Sequence, residues 1–257
     1  MLSYQHLYHA GNLADVHKHA LLAWVLDYMT AKDKPLSYLE THAGRGLYDL
    51  EALESAKTGE AAMGIARLQA RFAPDHPYAR VIAQVRAQHG PSFYPGSPLI
   101  AAGLLRGQDK ITLAELHPRE FAALSETMAG SGAQVLRQDG LAVARAWAPP
   151  TPRRGVLMID PSYEVKEDYA TLPPVLALIR RKWNVGVVIL WYPVLLSGVQ
   201  EGMLAQIRAD HPDVAVFETR FPPIRDGHRM VGTGLVVLNA PYGMALEAER
   251  VAKLMTR

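Results

Sequence analysis

Apolar positions along this chain follow two patterns. Leu13, Val16, Ala20, Leu21, Trp24, Val25 and Tyr28 recur every three or four residues. That spacing predicts a helix over residues 13–30 with Asn12 as its cap. Helical patterns at residues 58–72 and 77–89 are separated by the Ala73-Pro74-Asp75-His76-Pro77 turn. Ser97 followed by Pro98 predicts an N-cap and a first helical residue, with the helix continuing over residues 99–106. Other runs are continuous rather than periodic. Residues 156–159 are apolar without a break, as a strand buried on both faces of a parallel sheet should be. Residues 35–40 lead as a first strand into a glycine turn at Gly44 and Gly46. Further strands are predicted at 110–116, 134–138, 185–191, 213–221 and 233–239.

Strands and helices alternate, which implies an α/β fold with a mostly parallel sheet. The last two strands are joined by residues 222–232, too few for a crossover helix, so they should pair antiparallel. The helical stretch at 47–95 interrupts the first crossover and reads as a small insertion. The expected organisation is therefore residues 1–46 (arm, helix and first strand), 47–95 (insertion) and 96–257 (the remainder of the main domain).

Composition narrows the function classes. A formal net charge of +2 makes no global polycation, so nucleic-acid contact must come from local patches. Arg153, Arg154, Arg180, Arg181, Lys182, Arg225, His228 and Arg229 are the candidates for phosphate contact. The absence of cysteine excludes disulfides and thiolate metal sites. Half of the ten histidines lie within the first 42 residues, but no metal-ligand spacing accompanies them, so no metal is expected. Nothing resembles a signal peptide or a membrane span, and a cytoplasmic location is expected.

Candidate chemistry gathers at strand ends. Gly44 and Gly46 follow the first strand, Glu115 the second, Asp139 the third and Asp160 the fourth. In a parallel βα arrangement these ends share one edge, where ligands bind. The dinucleotide fingerprint is absent, because Asp49 stands where its third glycine belongs. Glu115 is placed to accept from ribose hydroxyls, and Asp139 from the exocyclic amine of an adenine. Each acid could instead cap the helix that follows it. Asp160-Pro161-Ser162-Tyr163 joins a carboxylate, a rigid turn and an aromatic ring. Such a set suits a flat amine: the Asp160 carboxylate and a turn carbonyl accept its N–H groups while Tyr163 stacks on the base. Asn239-Ala240-Pro241-Tyr242 is a similar element at the last strand, away from that edge.

The motifs Met1-Leu2-Ser3-Tyr4, His9-Ala10-Gly11-Asn12, Ala14-Asp15-Val16, Lys18-His19, Thr41-His42-Ala43-Gly44, Tyr94-Pro95-Gly96-Ser97-Pro98-Leu99-Ile100-Ala101, Glu115-Leu116-His117-Pro118, Asp139-Gly140 and Trp191-Tyr192-Pro193 resemble the RlmJ family of 23S ribosomal RNA adenine-N6 methyltransferases. The resemblance spans nearly the whole chain. It implies a Rossmann-like seven-stranded methyltransferase sheet with one antiparallel strand. It also implies S-adenosyl-L-methionine as cofactor, contacted by His19, His42, Gly44, Ser97, Glu115, Asp139, Gly140 and Asp160. Asp160 is then the catalytic residue, and Tyr4, His6, Lys18, Pro161 and Tyr163 face the nucleotide substrate. Ser162 departs from the family pattern, which has a second proline there.

The implied reaction is methylation of the N6 amine of one adenine in 23S ribosomal RNA, adenine 2030 in the family's usual designation. The target base must leave its stack to be reached. The expected partner is that RNA, and the expected state is a monomer without metal or membrane attachment. Two alternatives stay open on the residues alone. The same motif serves DNA adenine or a protein amide, and the fold alone could serve as a catalytically silent RNA-binding module. The aromatic arm of Tyr4, His6, Tyr8 and His9 is expected to close over cofactor and adenine. An arm packed permanently against the fold is the rival expectation.

Overall fold

The computed structural model describes residues 6–52, 59–222, 227 and 229–256. Tyr4, Arg225 and His228 lie outside them. In chain order the strands are β1 (Ser37–Glu40), β2 (Leu47–Asp49), β3 (Phe93–Pro95), β4 (Lys110–Ala114), β5 (Gln134–Leu136), β6 (Gly155–Ile159), β7 (Val187–Leu195), β8 (Ala215–Arg220) and β9 (Met230–Leu238). Seven of them form one sheet in the order β5-β4-β1-β6-β7-β9-β8. β9 pairs antiparallel with both neighbours, so it alone runs against the rest. Ser37 is level with Lys110 on one side and with Gly155 on the other. β1, β4 and β6 therefore end together, bringing the turns after Glu40, Ala114 and Ile159 to one edge.

Alternation across the pleat divides the core between the two sheet faces. Tyr38 and Met158 pack on one face, while Leu39, Leu157 and Ile159 pack on the other. The helix Leu13–Thr30 forms where the periodicity places it, with Asn12 Oδ1 accepting from Asp15 N. It is buried on more than its apolar stripe, because helices 77–89, 97–104 and 244–256 and strand β9 all pack against it. His17 and His19 are accordingly core residues rather than solvated ones.

Three local expectations fail for identifiable reasons. Helical pattern continues over 60–71, but the segment is broken into Glu60–Met63, Ile65–Leu68 and a 3₁₀ turn at Gln69–Arg71. The break is at Gly64. There Ile65 N donates to Gly11 O at 2.8 Å, and a Cβ on residue 64 would overlap that same carbonyl. Ser97 is not the N-cap. Gly96 is, and Ser97 is the first helical residue, its hydroxyl donating to Glu40 rather than accepting from its own helix. Pro193 does not end its strand. β7 runs on to Leu195, beyond the point where β6 stops, and a missing N–H is tolerated along such a free edge.

β2 and β3 pair antiparallel, tying together the two ends of the 47–95 stretch. Strands of three residues carry too little pattern to be read from sequence. At the opposite, amino edge of the sheet, Arg106 donates to the carbonyls of Thr30, Lys32 and Lys34. Asp109 pairs with Arg106 and accepts from Leu36 N, and Arg154 reaches Lys34 O.

Candidate active site

At the carboxyl edge lies a cavity of about 530 Å³. Its wall includes His6, Lys18, His19, His42, Gly44, Ser97, Glu115, Asp139, Gly140, Asp160, Pro161 and Tyr163. These are all the candidate site residues that fall within the described chain. Among the described residues, no group of three or more His, Asp or Glu side chains is arranged to hold a metal ion.

The glycine turn after β1 is built by its neighbours. Gly44 has φ +63, where a side chain is strained, and its N–H donates to Glu115 Oε2 at 2.8 Å. Glu115 Oε1 accepts from His117 N at 2.7 Å. Glu115 thus organises two turns, and each oxygen keeps a lone pair for a ligand hydroxyl. Burial raises its carboxyl above the ordinary value, against the pull of those two N–H donors. Arg45 closes the turn from outside with two hydrogen bonds to the buried Glu120, at 2.9 and 2.6 Å. Asp139 caps the helix Gly140–Trp147 by accepting from Ala142 N at 2.7 Å. Gly140 is required there, since a Cβ would overlap the Thr41 carbonyl oxygen. His42 lies between these turns, and burial lowers its ring value despite Asp160 and Asp139 nearby.

The Asp160 turn is held more tightly than its sequence suggests. Tyr163 adopts φ +55, and its hydroxyl donates to Trp191 O at 2.8 Å. Its ring lies 4.7 Å from that of Tyr169 and 6.0 Å from that of Trp191. Trp191 is itself fixed by a 2.8 Å hydrogen bond to Thr233 Oγ1.

Lys18 reaches the turn from the first helix. Its ammonium is 2.6 Å from Asp160 Oδ2 and 2.9 Å from Asp15 Oδ1. It also lies 5.6 Å from the centre of the Trp191 ring. Burial alone would lower the lysine value, but Asp15 and Asp160 hold it far above normal, so Lys18 stays charged. Asp15 is also buried, which would raise its carboxyl, yet His6, Lys18 and His19 hold it well below the usual range. His19 is driven the other way, down to about 3 by burial, and stays neutral while bonding Tyr94 OH at 2.7 Å.

The arm from His6 onward is packed. Leu7 and Ala10 are buried, His6 Nε2 lies 2.8 Å from Asp15 Oδ2, and His9 bonds the buried Glu60 at 3.0 Å.

Among the residues in or beside the site to which sequence assigns no role, Asp15, Glu40 and Trp191 stand out. Asp15, three and four residues before Lys18 and His19 on a helix, had a readable spacing. Glu40 closes an apolar strand just as Asp160 does. It is fully buried, accepts from Tyr38 and Ser97, and is pushed up to about 8 by burial, with Asp160 adding to the rise. Trp191 belongs to the Trp191-Tyr192-Pro193 motif, but its contacts with Lys18 and Tyr163 are made across the fold and have no local signature.

Of the basic candidates within the described residues, Arg229 stays at the carboxyl edge, next to Met230 of the cavity wall, where its carbonyl accepts from Leu196 N at 3.0 Å, while the other five lie elsewhere. Arg153, Arg154, Arg180, Arg181 and Lys182 all precede β6 or β7, at the amino edge opposite the cavity. There Arg154 and Lys182 bond backbone carbonyls and Arg180 pairs with Asp213 at 2.8 Å. Asn239 is structural as well: its amide donates to Asn184 O and Gly186 O, and Tyr242 projects into solvent.

The strand order and the carboxyl-edge cavity define the class, a Rossmann-like α/β protein with the methyltransferase type of sheet. Residues 33–257 match the family model described as RsmJ, "Ribosomal RNA large subunit methyltransferase D, RlmJ". The chain is 38% identical to ribosomal RNA large subunit methyltransferase J of Escherichia coli, covering 98% of this chain and 91% of that one. It is 35% identical to the protein of that name from Haemophilus influenzae, covering 100% and 94%. A crystal structure of a Legionella pneumophila protein superposes with a TM-score of 0.88 at 37% identity, covering 96% of this chain and 93% of that one. The chain belongs to the RlmJ family of ribosomal RNA large subunit methyltransferases.

Proposed function

We propose that this protein transfers a methyl group from S-adenosyl-L-methionine to the N6 amine of one adenine in 23S ribosomal RNA. The reading rests chiefly on the Asp160 turn, where a carboxylate, the Pro161 carbonyl and the fixed Tyr163 ring meet at the cavity. The residues around that cavity also fit the cofactor. Carboxylates at two strand ends line the cavity and offer acceptors for a nucleoside, and Gly44 and Gly140 let the neighbouring turns close tightly against Tyr48 and Thr41. Glu115 would take the ribose hydroxyls and Asp139 the exocyclic amine of the cofactor's adenine, with Gly44 and Gly140 beside them in the cavity wall. When bound, the cofactor supplies an electrophilic methyl group on a sulfonium.

The amine of adenine is a poor nucleophile, because its lone pair is delocalised into the ring. Asp160 Oδ1 and the Pro161 carbonyl would accept its two N–H bonds, favouring a pyramidal nitrogen whose lone pair points along the line of attack. The Tyr163 ring would support the flipped base. Asp160 is placed to receive the proton that the amine gives up. Lys18 keeps the other oxygen of Asp160 occupied, which fixes the plane of the carboxylate. Catalysis of this kind is mostly positioning.

The test is mass spectrometry of 23S RNA from cells with and without this protein, followed by transfer with purified components. One adenine should gain a methyl group on N6 only when the protein is present. Transfer to DNA or to a protein amide, with RNA unmodified, would replace this reading with another.

A further inference from the structure

We infer that Asp15 is a positioning residue that couples the N-terminal arm to Asp160. One buried carboxylate holds His6 of the arm and Lys18 together, so the sharing of Lys18 between Asp15 and Asp160 depends on the arm being seated. This rests on the reading of Asp160 as the group that receives the amine.

The hydrogen-bond count carries the argument. Asp15 is almost wholly enclosed, so solvent cannot replace a lost partner. Its Oδ2 accepts from Gly11 N at 2.9 Å and faces His6 Nε2 at 2.8 Å. Its Oδ1 faces Lys18 Nζ at 2.9 Å, with His19 Nε2 at 3.8 Å. Closing the helix start would need only the bond to Gly11. The second oxygen is turned inward, toward the cation that touches Asp160.

Lys18 is shared between two carboxylates, and the Trp191 ring lies against it. An ammonium held between Asp15 and Asp160 covers one oxygen of each. Without Asp15 it would lean wholly on Asp160 and compete with the substrate amine for the remaining oxygen. Without His6, Asp15 loses a donor that no water replaces, and it is free to shift toward Lys18. Seating the arm and freeing Asp160 Oδ1 are thus two ends of one linked set of contacts, and the linkage is reciprocal.

The experiment is a double-mutant cycle with His6→Ala, Asp15→Asn and the pair, at saturating RNA and cofactor. Asparagine keeps the shape and the acceptor for Gly11. Each single variant should lose about tenfold or more in kcat, the pair should fall no more than about twofold below the worse single, and cofactor affinity should change by less than about threefold. Losses that multiply, or an Asp15→Asn variant that turns over normally, would overturn the coupling. A purely structural role would lower Tm and cofactor affinity without this non-additivity.

Should Asp15→Asn fail to fold, Lys18→Met decides. Hydrogen exchange at the Gly11 amide, whose acceptor is Asp15, should then be faster than in the unaltered protein. Unchanged exchange would overturn the coupling. That measurement needs neither RNA nor turnover. If the unaltered protein methylates no RNA, the proposed reaction fails while the coupling is still decided.

Discussion

Lys18 Nζ lies 2.6 Å from Asp160 Oδ2, joining the first helix to the turn after β6. Only one oxygen of that carboxylate is left to a ligand. Its exposure is low enough that the pair is more than a surface ion pair.

In the proposed mechanism, replacing Asp160 by alanine removes the acceptor for the substrate amine. It should lower kcat by about a hundredfold or more, a loss ordinary for a group acting at the reacting atoms. Cofactor affinity should change little by comparison, because Glu115, Gly44 and Asp139 remain. Single-turnover transfer and calorimetry on the folded variant check this, and near-normal turnover would remove Asp160 from the mechanism.

Glu115→Ala should weaken cofactor binding by tens of fold, corresponding to about 2–3 kcal/mol for two lost charge-assisted hydrogen bonds. Because Glu115 also accepts from Gly44 and His117, the glycine turn should loosen as well. Calorimetric titration with S-adenosyl-L-methionine reads the effect. An unchanged dissociation constant would leave Glu115 only its turn-building role.

Glu40 should make stability depend on pH. Its carboxyl is raised from 4.5 to about 8 by burial, so the folded state holds a proton that the unfolded chain releases. The contribution is full below pH 4.5, declines as pH rises, and is gone above about 8. The slope from one such group cannot exceed about 1.4 kcal/mol per pH unit. His17 and His19, lowered by burial to about 4 and about 3, act oppositely: their contribution is full above 6.5 and is lost on acidification. The difference between Glu40→Gln and the unaltered protein isolates the carboxyl. It should shift in favour of the variant from pH 5 to 8, and a flat difference in denaturant titrations would contradict it.

Gly140→Ala places a methyl group where the Thr41 carbonyl oxygen lies. The helix after Asp139 must move away from the β1 turn, so Tm and cofactor affinity should fall together. A cost of about 1–3 kcal/mol is expected for such overpacking. Unaltered binding would mean the two turns adjust independently.

Much of this site could be read from the chain because its chemistry sits at strand ends. A continuous apolar run followed by Asp160, or by Glu115, announces its position from local pattern alone. Glu40 obeys the same rule and was passed over, because the glycine turn after it drew the functional assignment. Other features depended on partners distant in sequence. Gly64 breaks a helix because Gly11 needs its place. Ser97 turns from helix cap to donor because Glu40 lies opposite. Neither fact has a local signature. Arg153, Arg154, Arg180, Arg181 and Lys182 showed the reverse failure, where sequence suggested phosphate contact and topology put the charges at the far edge.

The Arg106 contacts also bear on the setting of Lys18. The helix that carries Lys18 spans about 27 Å and is clamped twice, by Asn12 and Asp15 at one end and, past Thr30, by Arg106 at the other. A beam fixed at both supports bends less than one fixed at a single support. The ammonium near its first support therefore owes part of its stiffness to a guanidinium that faces no ligand. Alignment at the cavity can be detuned from the opposite edge of the sheet, where a screen for active-site residues would not look.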